Sequence, residues 1–410
     1  MNDQNDVQNE ADTLPLGGIR VLEFCHTIMG PSAGVLLADM GADVIKIEAA
    51  PDGDSTRRMR GFGTGFFYAF NRNKRSLAVD LKSDEGRQLV MKLAKNADVV
   101  LENFGPGTME RLGCGYKDLE QVNPRLIFCA LKGFLSGPYE HRPALDEVVQ
   151  YMGGLAYMTG PPGQPLRAGA SVIDIMGGMF AVIGVQAALR EREITGHGQF
   201  IKSALFEATA FLMTQHMAGE AITGEPAPPM ASKSARAGIW SIYEAFETAD
   251  GEKIFIGLTS DKHWCAFWEH FKRPDIIENP RFATNADRVE HRPEFRNVVV
   301  ECIKSRTLAQ MTELADKINV PFAPVAKPGD LFDDPQLNSQ GRMLDIKFPN
   351  GVSKPVPPIP LEMGEHRFDL RRQAPKVGEH TREILEELGL NGDAIDELEG
   401  QGVIGWPEEA

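Results

Sequence analysis

The sequence predicts an α/β protein whose first half holds a parallel sheet, followed by a smaller α+β unit. Three observations carry this reading. Residues 19–48 run strand, helix, strand with short links; the same alternation returns over residues 83–131; and beyond residue 240 the pattern becomes a hairpin followed by helices. Strand, helix and strand joined by short connections make a βαβ unit, whose strands normally lie in a parallel sheet.

Each element has a local reason. Ile19-Arg20-Val21-Leu22-Glu23-Phe24 reads as a buried strand. Residues 31–40 have helical spacing, with Ala33, Val35, Leu36, Leu37 and Met40 available for packing. Gly41 closes that helix, and residues 42–48 form the next strand. Ser83 can cap a helix carrying Leu89, Val90 and Leu93, and a strand follows over 97–102. A helix near 108–112 and a strand over 126–131 complete a doubly wound pattern. Residues 151–210 are glycine-rich, then strongly helical through 181–193. The turn Thr195-Gly196-His197-Gly198-Gln199 leads into a strand over 200–203, and the polar, proline-containing stretch 224–237 reads as a crossing linker. Residues 240–248 and 253–258 read as a hairpin about Asp250-Gly251, with helices over 263–271, 292–305 and 308–318. Residues 328–341 link onward, 355–360 cross back, and the tail is helical over 381–388 and 394–401.

Composition narrows the function. The 410 residues leave room for about two to three domains. Hydrophobic and charged residues, 42% and 25%, are at ordinary levels for a soluble globular protein. A net charge of −15 argues against nucleic acid as a partner, because phosphate backbones bind basic surfaces. Cys25, Cys114, Cys129, Cys265 and Cys302 are odd in number and never spaced as CxxC, which reads as reduced thiols in a cytoplasmic protein. Residues 1–13 form a polar, acidic arm without the apolar stretch of a signal peptide. Residues 172–189 approach the length of a membrane span. Asp174, Gln186 and the run Arg190-Glu191-Arg192-Glu193 make a buried core helix the better reading, since a carboxylate in mid-bilayer is costly.

Two features bear chemistry. Arg57, Arg58, Arg60, Arg72, Lys74 and Arg75 lie between Ser55 and Val79 with no acidic residue among them. This window reads either as a site for a phosphate-bearing ligand or as a basic face pairing with acidic neighbours. The second feature is Asp174, at the start of the most apolar helix in Ala168-Gly169-Ala170-Ser171-Val172-Ile173-Asp174-Ile175-Met176-Gly177-Gly178. It reads as an N-cap favoured by the free amides of a helix start, or as a partly desolvated carboxylate placed for covalent catalysis. Nucleotide motifs are missing: there is no GxxxxGK[ST], and Gly61-Phe62-Gly63-Thr64-Gly65 lacks the GxGxxG spacing. The turn Cys25-His26-Thr27-Ile28-Met29-Gly30-Pro31 has a single glycine, unlike a standard dinucleotide-binding turn. HExxH and EF-hand patterns are absent and the nine histidines are dispersed, so no metal site is expected.

Six segments, in order, resemble the class III (CaiB/BaiF) CoA-transferase family. They are Leu16-Gly17-Gly18-Ile19-Arg20-Val21-Leu22-Glu23, Leu37-Ala38-Asp39-Met40-Gly41-Ala42-Asp43-Val44-Ile45-Lys46-Ile47-Glu48, Phe70-Asn71-Arg72-Asn73-Lys74-Arg75-Ser76, Glu102-Asn103-Phe104-Gly105-Pro106-Gly107, Thr195-Gly196-His197-Gly198-Gln199 and Gly378-Glu379-His380-Thr381. The resemblance implies a homodimer of two interlocked rings. It implies a discontinuous large CoA-binding domain, residues 14–205 and 335–410, built on a Rossmann-like parallel sheet. A small α+β domain at 225–325 would be inserted through linkers at 206–224 and 326–334. CoA or acyl-CoA is then a substrate beside a small carboxylic acid, with no tightly bound cofactor.

By the same resemblance Asp174 is the catalytic nucleophile. His26, Thr27, Val79, Asn103, Phe104 and Arg111 contact CoA, with Arg72, Lys74 and Arg75 as the basic complement to its phosphates. Arg57, Ile28, Met29 and Asp146 are assigned to the acyl part, and Arg57, Arg58 and Arg60 favour a dicarboxylate acceptor with a donor such as succinyl-CoA. Departures sharpen the choice. Formyl-CoA transferases of the family carry glutamine where this chain has Ile28 and arginine where it has Ala49, and they have a glycine-rich loop near Ala237-Gly238. The related α-methylacyl-CoA racemases use a histidine where Pro143-Ala144-Leu145-Asp146 places Leu145, so their acid–base pair is incomplete here. A non-catalytic CoA-binding protein is the remaining alternative.

Overall fold

The structure, a computed structural model, describes residues 11–232 and 239–405. The chain begins with β1 (Arg20–Phe24), α1 (Met29–Asp39), β2 (Asp43–Glu48), β3 (Arg75–Val79), α2 (Asp84–Ala94), β4 (Val99–Glu102) and β5 (Ile127–Lys132). It continues through α3 (Asp146–Met152), α4 (Val172–Thr195), β6 (Phe200–Ala204) and α5 (Leu205–Thr223). Next come β7 (Ile242–Glu247), β8 (Lys253–Leu258), α6 (Asp261–His270), α7 (Arg292–Lys304), α8 (Leu308–Lys317) and β9 (Phe322–Pro324). The last elements are β10 (Leu344–Lys347), β11 (Ser353–Val356), α9 (Thr381–Glu387), α10 (Gly392–Gly400) and β12 (Ile404–Gly405).

Seven strands form one sheet in the order β12-β3-β2-β1-β4-β5-β6. Six are parallel, and β12 runs antiparallel to β3 at one edge. Strands β1, β2, β4 and β5 are almost wholly buried and β3 is buried along its full length, as expected where helices cover both faces of a parallel sheet, while the edge strand β6 exposes Phe200. Side-chain alternation splits the core: Val21, Leu37, Ile127 and Val185 pack on one face, Leu22, Leu77, Val90 and Ile384 on the other. The order reverses at β1, which has β2 on one side and β4 on the other. In open α/β sheets such a switch point leaves a crevice beyond the carboxyl ends of the strands.

The described residues fall into two compact units. One takes the residues up to 155, 168–214 and those from 335 onward; the other takes 156–167 and 215–334. In the second, the sheet β7-β8-β9 is antiparallel and packs through Ile242, Ile254, Trp264, Trp268, Phe295 and Met311.

Residues 206–224, expected to link the two domains, are almost entirely α5, a continuous helix with Leu205, Ala208, Thr209 and Met213 buried. The run 205–218 has neither proline nor glycine to break it. The basic window hides a strand, β3, which the charges on its amino-terminal flank obscured. The helix carrying Asp174 starts at Val172, where the apolar run 172–189 begins. That helix is long and apolar enough by length and composition to cross a membrane. Here Ile173, Gly177, Gly178, Ala181 and Val185 are buried against protein. Residues 1–10 of the expected arm, and residues 233–238 including Ala237-Gly238, lie outside the described residues. Ala11 is buried, and Leu14 and Leu16 pack on the core.

Candidate active site

The basic window resolves into individual partners: four of its six cations pair with carboxylates, and Arg58 donates to the Asp52 carbonyl. Arg72 donates to Asp39 at 2.6 Å, and Lys74 pairs with Glu23 at 2.7 Å. Arg75 meets Asp43 and Glu387, each at 2.6 Å, and Glu383 at 2.9 Å. Arg57 forms a bidentate pair with Glu48, at 2.8 and 2.6 Å, and its guanidinium lies 3.7 Å from the centroid of the Phe67 ring. Arg72, Lys74 and Arg75 are buried, so their expected role on CoA phosphates is corrected: Arg72 and Lys74 neutralise the buried carboxylates of Asp39 and Glu23, and Arg75 pairs with the more open Asp43, Glu383 and Glu387. Arg57 likewise is committed to Glu48 and to the Pro375 carbonyl at 2.8 Å, not to a substrate carboxylate. Arg58 and Arg60 are exposed. Burial, partly offset by Glu23, pushes the Lys74 ammonium down to about 8. Lys46 goes the other way: burial lowers it, but Glu23, Asp54 and Glu48 together outweigh that and raise it above the ordinary lysine value.

At the switch point the turns after β1 and β4 lock together. His26 N–H donates to Asn103 Oδ1 at 3.0 Å, and Asn103 Nδ2 donates to the His26 carbonyl at 2.8 Å. The His26 ring stacks on Phe104 with centroids 5.8 Å apart and planes at 20°, and its Nδ1 lies 2.8 Å from Thr27 Oγ1. Desolvation lowers the His26 pKa from its ordinary 6.5; Asp54 opposes this, and Lys46 adds to it. Burial thus favours the neutral imidazole. Thr27 has φ 66°, the left-handed region, where a β-branched residue carries strain of order 1–3 kcal/mol. Its N–H donates to Thr56 Oγ1 at 2.9 Å. Sequence reasoning missed Thr56, whose only local signal is the Asp54-Ser55-Thr56 turn pattern.

Asp174 is the third residue of α4 and is half-buried. It is not the N-cap; Ser171 holds that position and makes no side-chain capping hydrogen bond. The cap comes instead from Asp146, 28 residues earlier: its Oδ2 accepts from the N–H of Ile173 at 2.8 Å and of Asp174 at 3.1 Å. Gln150 donates to Asp146 Oδ1 at 2.5 Å and accepts from the Ala168 amide at 2.8 Å. Asp146 is buried, so its expected substrate contact is replaced by this capping role. One turn beyond Asp174, Gly177 and Gly178 let α4 close on α1. A Cβ on Gly177 would lie 2.6 Å from Met29 Cε, and one on Gly178 would lie 2.2 Å from Ser32 Oγ. The first turn of α4 is thereby held against the start of α1, which follows the His26-Thr27 turn directly.

The structure thus brings His26, Thr27, Asn103 and Phe104 together at the switch point. Exposed Arg111 follows on a short helical turn, its Nη2 on Thr108 Oγ1 at 2.8 Å. Ile28 and Met29 are buried, and Met29 packs between α1 and α4. Val79, at the carboxyl end of β3, has a buried side chain and pairs through its backbone with Ile404. Leu145, at the position of the racemase histidine, is 69% exposed. Among the described residues no cluster of three His, Cys, Asp or Glu side chains is grouped to hold a metal ion.

Comparisons with known proteins give matches over nearly the whole chain. The model of CoA-transferase family III matches residues 16–381. A succinate–glutarate CoA-transferase of Agrobacterium fabrum is 36% identical over 387 residues, covering 91% of this chain and 96% of the relative. A succinyl-CoA:mesaconate CoA-transferase of Haloarcula hispanica is 33% identical over 393 residues, covering 92% of this chain and 96% of the relative. The crystal structure of a CAIB/BAIF family protein from Brucella suis superposes with a TM-score of 0.79 at 33% identity, covering 92% of this chain and 99% of that one.

Proposed function

The chain belongs to CoA-transferase family III, and from that premise we propose that it moves CoA from an acyl-CoA such as succinyl-CoA to a small dicarboxylate through covalent intermediates on Asp174. The observation that carries the reading is Asp174 itself. Its backbone is fixed by Asp146, and its helix is pressed against the segment that follows the switch-point turn.

The chemistry balances without an added reagent. A carboxylate oxygen of Asp174 attacks the donor thioester carbonyl, forming a mixed anhydride and releasing CoA thiolate. The thiolate attacks the aspartyl carbonyl of the anhydride, which gives an aspartyl-CoA thioester and frees the donor acid. The acceptor carboxylate then attacks that thioester, forming a second anhydride and again releasing CoA thiolate. Attack of the thiolate on the acceptor acyl carbonyl yields the new acyl-CoA and regenerates the Asp174 carboxylate. Division into several acyl transfers is the general use of a covalent nucleophile.

His26, Thr27, Asn103, Phe104 and exposed Arg111 are the residues we assign to CoA, and Arg58 and Arg60 to the second carboxylate of the acceptor. The names of the relatives, which pair succinyl-CoA or succinate with glutarate and mesaconate, support the dicarboxylate class. We also propose a homodimer, interlocked as the resemblance implies. Its support is a set of exposed large apolar side chains on the first unit, among them Tyr151, Met179, Ile183 and Phe211. Scattered cysteines favour a cytoplasmic setting.

The test is Asp174→Ala assayed with a panel of acyl-CoA donors and carboxylic acids. CoA exchange falls by about four orders of magnitude or more, as for loss of a covalent nucleophile, while CoA binding persists. A hydroxylamine-sensitive mass adduct on Asp174 accompanies turnover of the native enzyme. Exchange that survives the substitution overturns the assignment of Asp174, and activity confined to monocarboxylates overturns the dicarboxylate class.

A further inference from the structure

We propose that Thr56, backed by Asp54 and Lys46, is a positioning residue that holds Thr27 in its left-handed conformation and so sets the affinity for CoA. The proposal rests on the reading of the His26-Thr27 turn as part of the CoA site.

A threonine does not stay at φ 66° unless its surroundings over-determine it. Asn103 fixes the amide and carbonyl of His26 but makes no contact with the Thr27 amide in this hydrogen-bond pattern. That amide is held by Thr56 Oγ1, at 2.9 Å, from a side chain 1% exposed. Thr56 is fixed in turn: its own N–H donates to Asp54 Oδ1 at 2.8 Å. The Asp54 amide donates to Glu48 Oε2 at 2.8 Å, and Asp54 Oδ2 lies 3.0 Å from Lys46 Nζ.

The same ammonium donates to the carbonyl of Cys25 at 2.6 Å. One buried cation therefore ties down the residue just before His26 and, through Asp54 and Thr56, the residue just after it. A ligand that uses this turn meets a backbone already in its bound shape, and preorganisation of that kind raises affinity by sparing the cost of ordering. None of the three residues needs to touch the ligand to act in this way.

The experiment titrates coenzyme A alone into the full-length protein by calorimetry, with folding monitored by urea midpoint. Thr56→Val keeps the shape but removes the acceptor, so Thr27 leaves its left-handed conformation in the free protein and CoA affinity falls about tenfold, the scale of restoring one strained residue on binding. Thr56→Ser keeps the acceptor and binds within about twofold of the native protein, which a merely steric role would not allow. Thr27→Gly tolerates positive φ without help, so adding Thr56→Val to it changes affinity by less than about twofold.

Unchanged affinity in Thr56→Val overturns the proposal, as does a tenfold loss that is the same with glycine at position 27. His26→Ala reports on the underlying site. If it binds CoA as the native protein does, the error lies in the location of the CoA site; if it weakens binding while Thr56→Val does not, the error lies in the clamp.

Discussion

Asp146 shows how far a single side chain can depart from the role its position suggests. Its carboxylate supplies the first-turn amides of α4 with the acceptor that Ser171 does not provide, and one of those amides belongs to Asp174. Asp146→Ala therefore costs about 1–2 kcal/mol of stability, the range for loss of a helix cap. Because the lost contact fixes the backbone of the proposed nucleophile, kcat falls about ten- to a hundredfold, the scale on which small misplacements act. CoA affinity stays within about twofold, since the cap bears on Asp174 and not on the turn after β1. Asp146→Asn, whose amide oxygen still accepts, recovers most of both losses. Urea titration and steady-state kinetics on the two variants check this, and an unchanged kcat in Asp146→Ala refutes it.

At the scale of elements, the contact between α4 and α1 governs where Asp174 sits. Gly178 is the pivot: a methyl group there would lie 2.2 Å from Ser32 Oγ and 2.8 Å from the Met29 carbonyl, and the carbonyl cannot swing aside. Gly178→Ala destabilises the protein by about 1–3 kcal/mol, the usual cost of overpacking, and lowers exchange activity with it. Gly137→Ala, with nothing within 4 Å of the added methyl, stays within about 0.5 kcal/mol of the native protein. Thermal and urea midpoints decide the comparison.

The same scale shows what the sequence could and could not disclose. The βαβ units were legible because periodicity and short links are local signals. The window of six cations was visible, but its outcome was not, because the carboxylates that engage it come from far along the chain. Lys74 pairs with Glu23, 51 positions away, and Arg75 with Glu387, 312 positions away. Asp174 stood out at a helix start, yet its cap lies 28 positions earlier, and Thr56 carried no chemical signature at all.

Across the whole molecule, the exposed apolar side chains of the first unit bear on the proposed dimer. Ile183 is 61% exposed and Phe211 67%, on helices whose other sides are in the core. Light scattering on the native protein gives twice the chain mass of 45.1 kDa, and Ile183→Glu shifts the population toward that single mass. A native protein that runs at 45.1 kDa refutes the dimer. The edge strand β12 has a different consequence. Residues 404 and 405 complete the sheet by pairing with β3, some 325 positions earlier, and residues 378–381 dock on the same strand. On the ribosome, β3 and the basic segment before it emerge early and wait, edge uncovered, while the second unit is made. Their final neighbours emerge only after the second unit has been made. For this enzyme the flank of its own sheet arrives some 325 positions late, and until then the chain carries a sticky strand.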